Sequence, residues 1–275
     1  MDRETVLIER QGRIAYVILN RPERLNAISH QLQVDLRSAW DEVRDDRSIR
    51  VAILRGSGRG FCAGADISGS RSERPTNLVE DAQRILFSIQ TCMMAWDLPK
   101  PVIAQIHGAC MGVGNMMASF TDIRIVADDA RISPTPKVPI GGGMISPLWM
   151  YYAGAHRAKE LSMSVSSEYT GKQAAAWNWA NYSVPPGELE EFTFNMAKEI
   201  AKLSSDLLAL KKQAVNHHMD AIGFRTAAIL GAELDALAHD TDTSRFANRK
   251  LRELGIRGAL EWWANEDGIP DDVEK

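Results

Sequence analysis

Apolar residues first recur at a spacing of two. In VLIERQGRIAYVILN, Val6, Ile8, Ile14, Tyr16 and Ile18 carry this alternation, which predicts two short strands around a Gln11-Gly12 turn. Pro22, in NRPERLNAIS, breaks the second strand. The spacing then lengthens. Leu32, Val34, Leu36 and Trp40 in HQLQVDLRSAWDEVRDD fit an amphipathic helix. IRVAILRG reads as a buried strand ending at Gly56, SGRGFCAGADISG as a glycine-rich loop, Asn77–Trp96 as a helix and KPVIAQIHG as the next strand. Strands alternating with helices predict crossover units and α/β layers.

From Ser146 onward helical spacing dominates, with breaks near Thr170-Gly171, Pro185-Pro186 and Gly223. The expected helices are Leu189–Leu203, Asp206–Met219, Arg225–His239 and Ser244–Leu254, with a short one at Ala259–Ala264. No internal repeat or low-complexity linker is present. The plan is an α/β core over residues 1–185 followed by a helical region over residues 186–275.

Composition narrows the partners. The 275 residues are 45% hydrophobic and 25% charged, ordinary for a globular protein with a sizeable core. A formal charge of -4 argues against nucleic acid. The charged N-terminus has no apolar signal core, and no apolar run reaches the roughly 18 residues of a membrane span. Cys62, Cys92 and Cys110 lack metal-ligand spacing; they read as free thiols of a cytoplasmic protein, and no metal site is expected.

The chemistry lies in two glycine stretches, GFCAGAD and MGVGNMM. Neither is a Walker loop, and MGVGNM lacks the third glycine of the dinucleotide fingerprint. Each instead offers small residues beside a following helix, where backbone N–H groups can face a ligand. Two such groups aimed at one point hold an oxyanion. The plainer alternative is that the glycines only permit tight turns and close packing.

NRPERLNAIS, GRGFCAGADI, PVIAQIHGACMGVGNMMASFTDIRIVADDARI and AKELSMSVSSEYTGKQAAAW, in this order, resemble the successive landmarks of the crotonase, or enoyl-CoA hydratase/isomerase, superfamily. The similarity runs from about Val6 to Val184. It implies a ββα superhelix core, C-terminal helices that build a homotrimer or a dimer of trimers, and an acyl-CoA substrate, with coenzyme A entering as part of that substrate and no further cofactor. It implies that an enolate forms at the thioester oxygen, held by the N–H groups of Ala65 and Val113. Ala63 and Ala65 match the loop that accepts pantetheine, and Leu25 and Ala27 the segment near the adenine. Asp66, Ile67, Gly112 and Met116 fall at the same substrate site. Most members carry glycine where this chain has Val113, so a positive φ there would be strained.

The sequence departs from the family at its acid/base positions. Hydratases of this family use two glutamates, and the matching positions here are Met116 and Lys137. No Asp or Glu occurs from Leu98 to Thr121, or from Ala130 to Lys159, so an alignment slip restores neither. Lys137, after Pro136, is one replacement, as a depressed-pKa acid/base or a partner of a substrate carboxylate; the plainer reading is a solvated loop lysine. The short match Pro136–Val138 resembles the naphthoate-synthase branch, without that branch's later aspartate. His107 reads as a core histidine and His156 as an exposed one. Tyr151 and Tyr152 offer phenols or simply pack. Glu73, Glu80 and Asp81 sit after the oxyanion loop, where a solvated charged face is the plainer reading. Met111, Met116, Met117 and Trp149 suggest an apolar pocket or, as readily, core.

These positions favour C–C cleavage, decarboxylation or isomerisation through an enolate over hydration. The alternative is a catalytically silent acyl-CoA-binding or assembly subunit.

Overall fold

The computed structural model describes residues 3–67, 77–135, 141, 146–164 and 168–265. A six-stranded sheet forms its centre, in the order β1 (Val6–Gln11), β2 (Ile14–Leu19), β3 (Val51–Gly56), β4 (Val102–Ile106), β6 (Ile123–Ala127) and β9 (Tyr182–Val184). β1 and β2 are an antiparallel hairpin, and every later pairing is parallel. The alternation read in β2 does not survive: all six of its residues are buried, because it is an inner strand covered on both faces. β1, at the edge, keeps mostly exposed or half-buried positions. A second sheet sets β7 (Arg131–Ser133) between β5 (Ala109–Met111) and β8 (Tyr169–Thr170).

The helices follow local signals. α1 (His30–Asp45) is capped by Ser29, whose hydroxyl accepts the Leu32 N–H, and buries Leu32, Leu36, Ala39, Trp40 and Val43. α2 (Leu78–Asp97) starts at Asn77, whose side chain accepts the Glu80 N–H. α3 is short, Val113–Ser119, and wholly buried. α4 (Ser146–Ala153) and α5 (Ala155–Met163) follow, and Thr170 with Gln173 forms a capping box for α6 (Gly171–Ala176). α7 (Leu189–Ile200) lies on β3, β4 and β6. α8 (Ser205–Ala221) and α9 (Phe224–His239) meet at Gly223, which takes φ +97°. α10 (Asp242–Asn265) is interrupted at Gly255, between the two helices expected there.

β8 and β9 are two strands that the helical spacing after Ser146 did not show, and both fall within residues 1–185. Strands of two and three residues carry no measurable period, and β9 exists because β6 offers it an edge. Side chains reinforce that edge, since Asn181 accepts the Arg124 N–H at 2.8 Å.

α2 and α9 run antiparallel. Trp96 packs on Phe224 at one end, with ring centroids 4.6 Å apart, and Asp81 meets His239 at the other. Phe224 also receives Phe120, just after α3, which joins the helical layer to the glycine loops. Nearby, the buried Lys212 of α8 gives its three protons to the carbonyls of Ala95 and Lys100 and to the Asp122 carboxylate, so its charge is fully partnered.

Candidate active site

Three separate sequence motifs become neighbouring strips of backbone. The GFCAGAD segment is the middle one. On one side the N–H groups of Phe61 and Cys62 donate to His107 and Ala109, and Met111 N–H returns to the Cys62 carbonyl at 2.9 Å. On the other side Ala63 N–H donates to Leu25, Ile28 N–H to Gly64, and Asp66 N–H to Ile28. Leu25 and Ala27 thus stand beside Ala63 and Ala65.

Asn26, which the sequence reading passed over, ties the first strip down. Its side chain accepts the Arg21 N–H and donates to the carbonyls of Ser57 and Gly60, each at 2.9 Å, with no exposed surface left. Both Leu25 and Asn26 adopt left-handed backbone, φ +49° and +56°. Asn in a left-handed turn within LNA was the available signal. Arg21 also donates to the Ala27 carbonyl and pairs with Asp66 at 2.9 Å, so Asp66 is engaged in holding the loop.

The two glycine loops touch backbone to backbone. A Cβ on Gly114 would lie 2.6 Å from the Cys62 Cβ, so glycine is required for α3 to start this close. Gly112, just before the helix, takes φ +49° and donates its N–H to Ser133 of β7. That turn relieves Val113: its φ is not positive, and valine sits in the first helical position unstrained. Among the described residues, neither Ala65 N–H nor Val113 N–H donates to a protein acceptor. Each follows directly on a glycine, Gly64 and Gly112, whose backbones face each other across the gap. Ala65 and Ile67 are exposed, and Val113 is buried at the base.

Of the proposed acid/base groups, Lys137 and Glu73 lie outside the described residues. His107 Nε2 contacts the Gly58 carbonyl at 2.9 Å, a structural role, and His156 is exposed. Tyr152 donates to the Ser119 carbonyl at 2.8 Å under the Arg124 guanidinium, and Tyr151 packs edge-on against Phe224. Met116 and Met117 are core, as is Trp149, which stacks on Trp179 and donates to Asn115. Only Met111 is half-exposed. The three cysteines are buried free thiols, and burial pushes Cys62 up to about 12, so none is a nucleophile at neutral pH.

Asp81 departs from the reading of a solvated face. It is buried, bonded to Arg84 and, at 2.7 Å, to His239 Nδ1. Burial alone would raise its pKa, but these bonds to cationic partners hold it below the ordinary carboxylate value. His239 carried no sequence signal, because it approaches from α9.

A mixed sheet wrapped by helices, with two glycine loops meeting backbone to backbone, is the architecture of the crotonase class. The chain belongs to the enoyl-CoA hydratase/isomerase family, whose profile matches residues 9–247. It is 30% identical over 220 residues to the 1,2-epoxyphenylacetyl-CoA isomerase of Escherichia coli K12, covering 78% of this chain and 82% of that one. A crystal structure from Novosphingobium aromaticivorans DSM 12444, provisionally assigned as an enoyl-CoA hydratase/isomerase, superposes with a TM-score of 0.90 at 34% identity, covering 95% of this chain and 96% of the other. An enoyl-CoA hydratase from Mycobacterium smegmatis gives 0.85 at 28% identity, covering 93% and 91%. Among the described residues no helix is long and apolar enough to cross a membrane.

Proposed function

We propose that this chain binds an acyl-CoA thioester, polarises its carbonyl between the N–H groups of Ala65 and Val113, and carries out enolate chemistry other than hydration. The supporting observation is the apposition of the two glycine loops, with neither N–H group donating to a protein acceptor among the described residues. Donors fixed by the fold stabilise the developing oxyanion without reorganising. Pantetheine lies along Ala63 and Ala65 and the adenine end near Leu25 and Ala27, with Asp66, Ile67 and Gly112 around the same site; Met116, wholly buried, takes no part. No cofactor beyond the substrate's own coenzyme A takes part.

Hydration needs a group to activate water. Position 116 holds a methionine, wholly buried in α3, and position 137 a lysine. Decarboxylation and C–C cleavage form the enolate by breaking a C–C bond, and isomerisation forms it by passing a proton to a base; none of these adds water across a double bond, and each ends in reprotonation. The E. coli relative, named as an isomerase of a phenylacetyl-CoA epoxide, adds weight to isomerisation. Self-association is part of this reading. Leu230, Leu234 and Leu237 form an exposed apolar stripe on α9, and α8 adds Leu207 and Leu210. A second and third copy would cover surface of this kind.

Crotonyl-CoA is the discriminating substrate. Binding without hydration is expected, and turnover in the usual enzyme range of roughly 1 to 1000 per second would overturn the reading. Binding with no turnover of any CoA thioester in a panel would point instead to a silent subunit.

A further inference from the structure

α3 begins with Val113 and ends at Ser119, in a collar of side chains drawn from other elements. Arg124, buried in β6, turns its Nη1 to the carbonyls of Ala118 and Ser119, each at 3.4 Å, and of Thr121 at 3.0 Å. Its Nε donates to the Trp179 carbonyl. The guanidinium lies over the Tyr152 ring, 4.2 Å from its centroid, and the Tyr152 hydroxyl donates to the Ser119 carbonyl at 2.8 Å. Trp179 Nε1 donates to Ser119 Oγ at 3.0 Å, and that hydroxyl donates to the Asn115 carbonyl at 2.9 Å. Trp179 also stacks on Trp149, whose Nε1 donates to Asn115 Oδ1 at 2.8 Å. The contacts close into a ring that grips α3 in its first turn at Asn115 and in its last at Ser119.

Arg124 is an unusual buried charge. Among the described residues it forms no ion pair with a carboxylate; the nearby Asp122 gives its carboxylate to Lys212 and to the Val102 N–H. A buried charge is costly unless its hydrogen bonds are made. Here the open carbonyls at the C-terminal end of α3 accept them, and a helix favours a cation at that end.

We propose that Arg124, supported by Tyr152 and Trp179, is a positioning residue for the Val113 oxyanion donor: by fixing the C-terminal end of α3 it sets where the Val113 N–H points. This rests on the acyl-CoA reading above. The lever is short. At a rise of 1.5 Å per residue the helix is about 10 Å long, so its two ends move as one body. The Gly114–Cys62 contact locates the start of α3, but a single contact leaves its tilt free. The collar removes that freedom. The Ala65 donor is held separately, by the strip that runs through Leu25 and Ile28. Loss of the collar therefore misaims one donor of the two and spares the surface proposed for coenzyme A.

The test uses the full chain with butyryl-CoA and phenylacetyl-CoA, each isotope-labelled at the thioester carbonyl carbon. On wild type the NMR resonance of the bound carbonyl should move downfield of its free position, the signature of a polarised carbonyl. Arg124→Gln should lose much of that displacement with thioester affinity unchanged. Turnover of any thioester that wild type processes should fall by about 100-fold, the scale of a misplacement of about 1 Å, with KM unchanged. Arg124→Lys keeps the charge with fewer donors and should fall between. Lowered stability with the bound resonance and kcat at wild-type values would show a purely structural collar and overturn the proposal. Should Arg124→Gln fail to fold, Tyr152→Phe removes only the hydroxyl bond to Ser119 and should still reduce the displacement; an unchanged resonance there would overturn the proposal equally. Wild type that binds without polarising the carbonyl would overturn the oxyanion reading as well, and wild type that binds neither thioester would overturn the acyl-CoA reading itself.

Discussion

Gly114 and Cys62 stand so close that no side chain fits between them: a Cβ on Gly114 would come within 2.7 Å of the Cys62 Sγ and 2.8 Å of its carbonyl oxygen. The start of α3 and the GFCAGAD segment are thereby locked at one spacing, and with them Ala65 and Val113. Gly114→Ala must push these backbones apart. Overpacking of this kind costs about 1 to 3 kcal/mol, to be read from urea denaturation. Acyl-CoA binding should weaken as well, because the two donors separate; unchanged stability and affinity would show that the loops yield freely.

Asn26 should prove as costly to lose as a large core residue. Asn26→Ala removes three side-chain hydrogen bonds and leaves the Ser57 and Gly60 carbonyls short of a donor. Each buried polar group left unpaired costs about 1 to 3 kcal/mol, so a loss of several kcal/mol is expected. Asn26→Asp keeps the acceptor and the shape but loses the donor, and should fall between. Equilibrium denaturation of the three proteins gives the order.

Ala65→Pro separates catalysis from folding. The Ala65 N–H has no protein acceptor among the described residues, so proline forfeits no internal hydrogen bond while removing one proposed oxyanion donor. Loss of a single donor costs on the order of 3 kcal/mol, or about 100-fold in turnover. Turnover of whichever thioester the wild type processes should fall by that factor, more than its affinity does. Full activity in a folded variant would exclude Ala65 as a donor.

The Asp81–His239 pair predicts a pH signature in stability. His239 has a raised pKa in the folded protein, so its contribution is fully present below the unfolded imidazole value, about 6.5, and disappears as pH rises through the folded value. Asp81 is lowered, so its contribution is lost only in acid, as pH falls through its folded value. The stability difference between wild type and His239→Gln should therefore be largest near pH 5 to 6 and shrink toward pH 9. Parallel urea titrations across this range check it, and a difference that grows with pH would contradict the assignment of the charged pair.

Sequence by itself determined what is local. The β1–β2 hairpin, α1, β3, α2 and β4 follow from spacing, caps and breakers, and the ordered glycine motifs carried the family. The carboxylate-free intervals were equally plain, since absence of a residue type needs no fold to be seen. Tertiary structure decided what depends on surroundings. β9 needed the edge of β6. Val113 needed Gly112 to take the positive φ before its own strain could be judged. Asp81 reads as surface on the helix that bears it, and becomes buried only when α9 lies antiparallel along α2 and brings His239 to it. Periodicity reports which face of a segment is covered, but not by what. The charge, solvation and reactivity of an ionisable group are set by partners distant in the chain, and those appear only when the layers close.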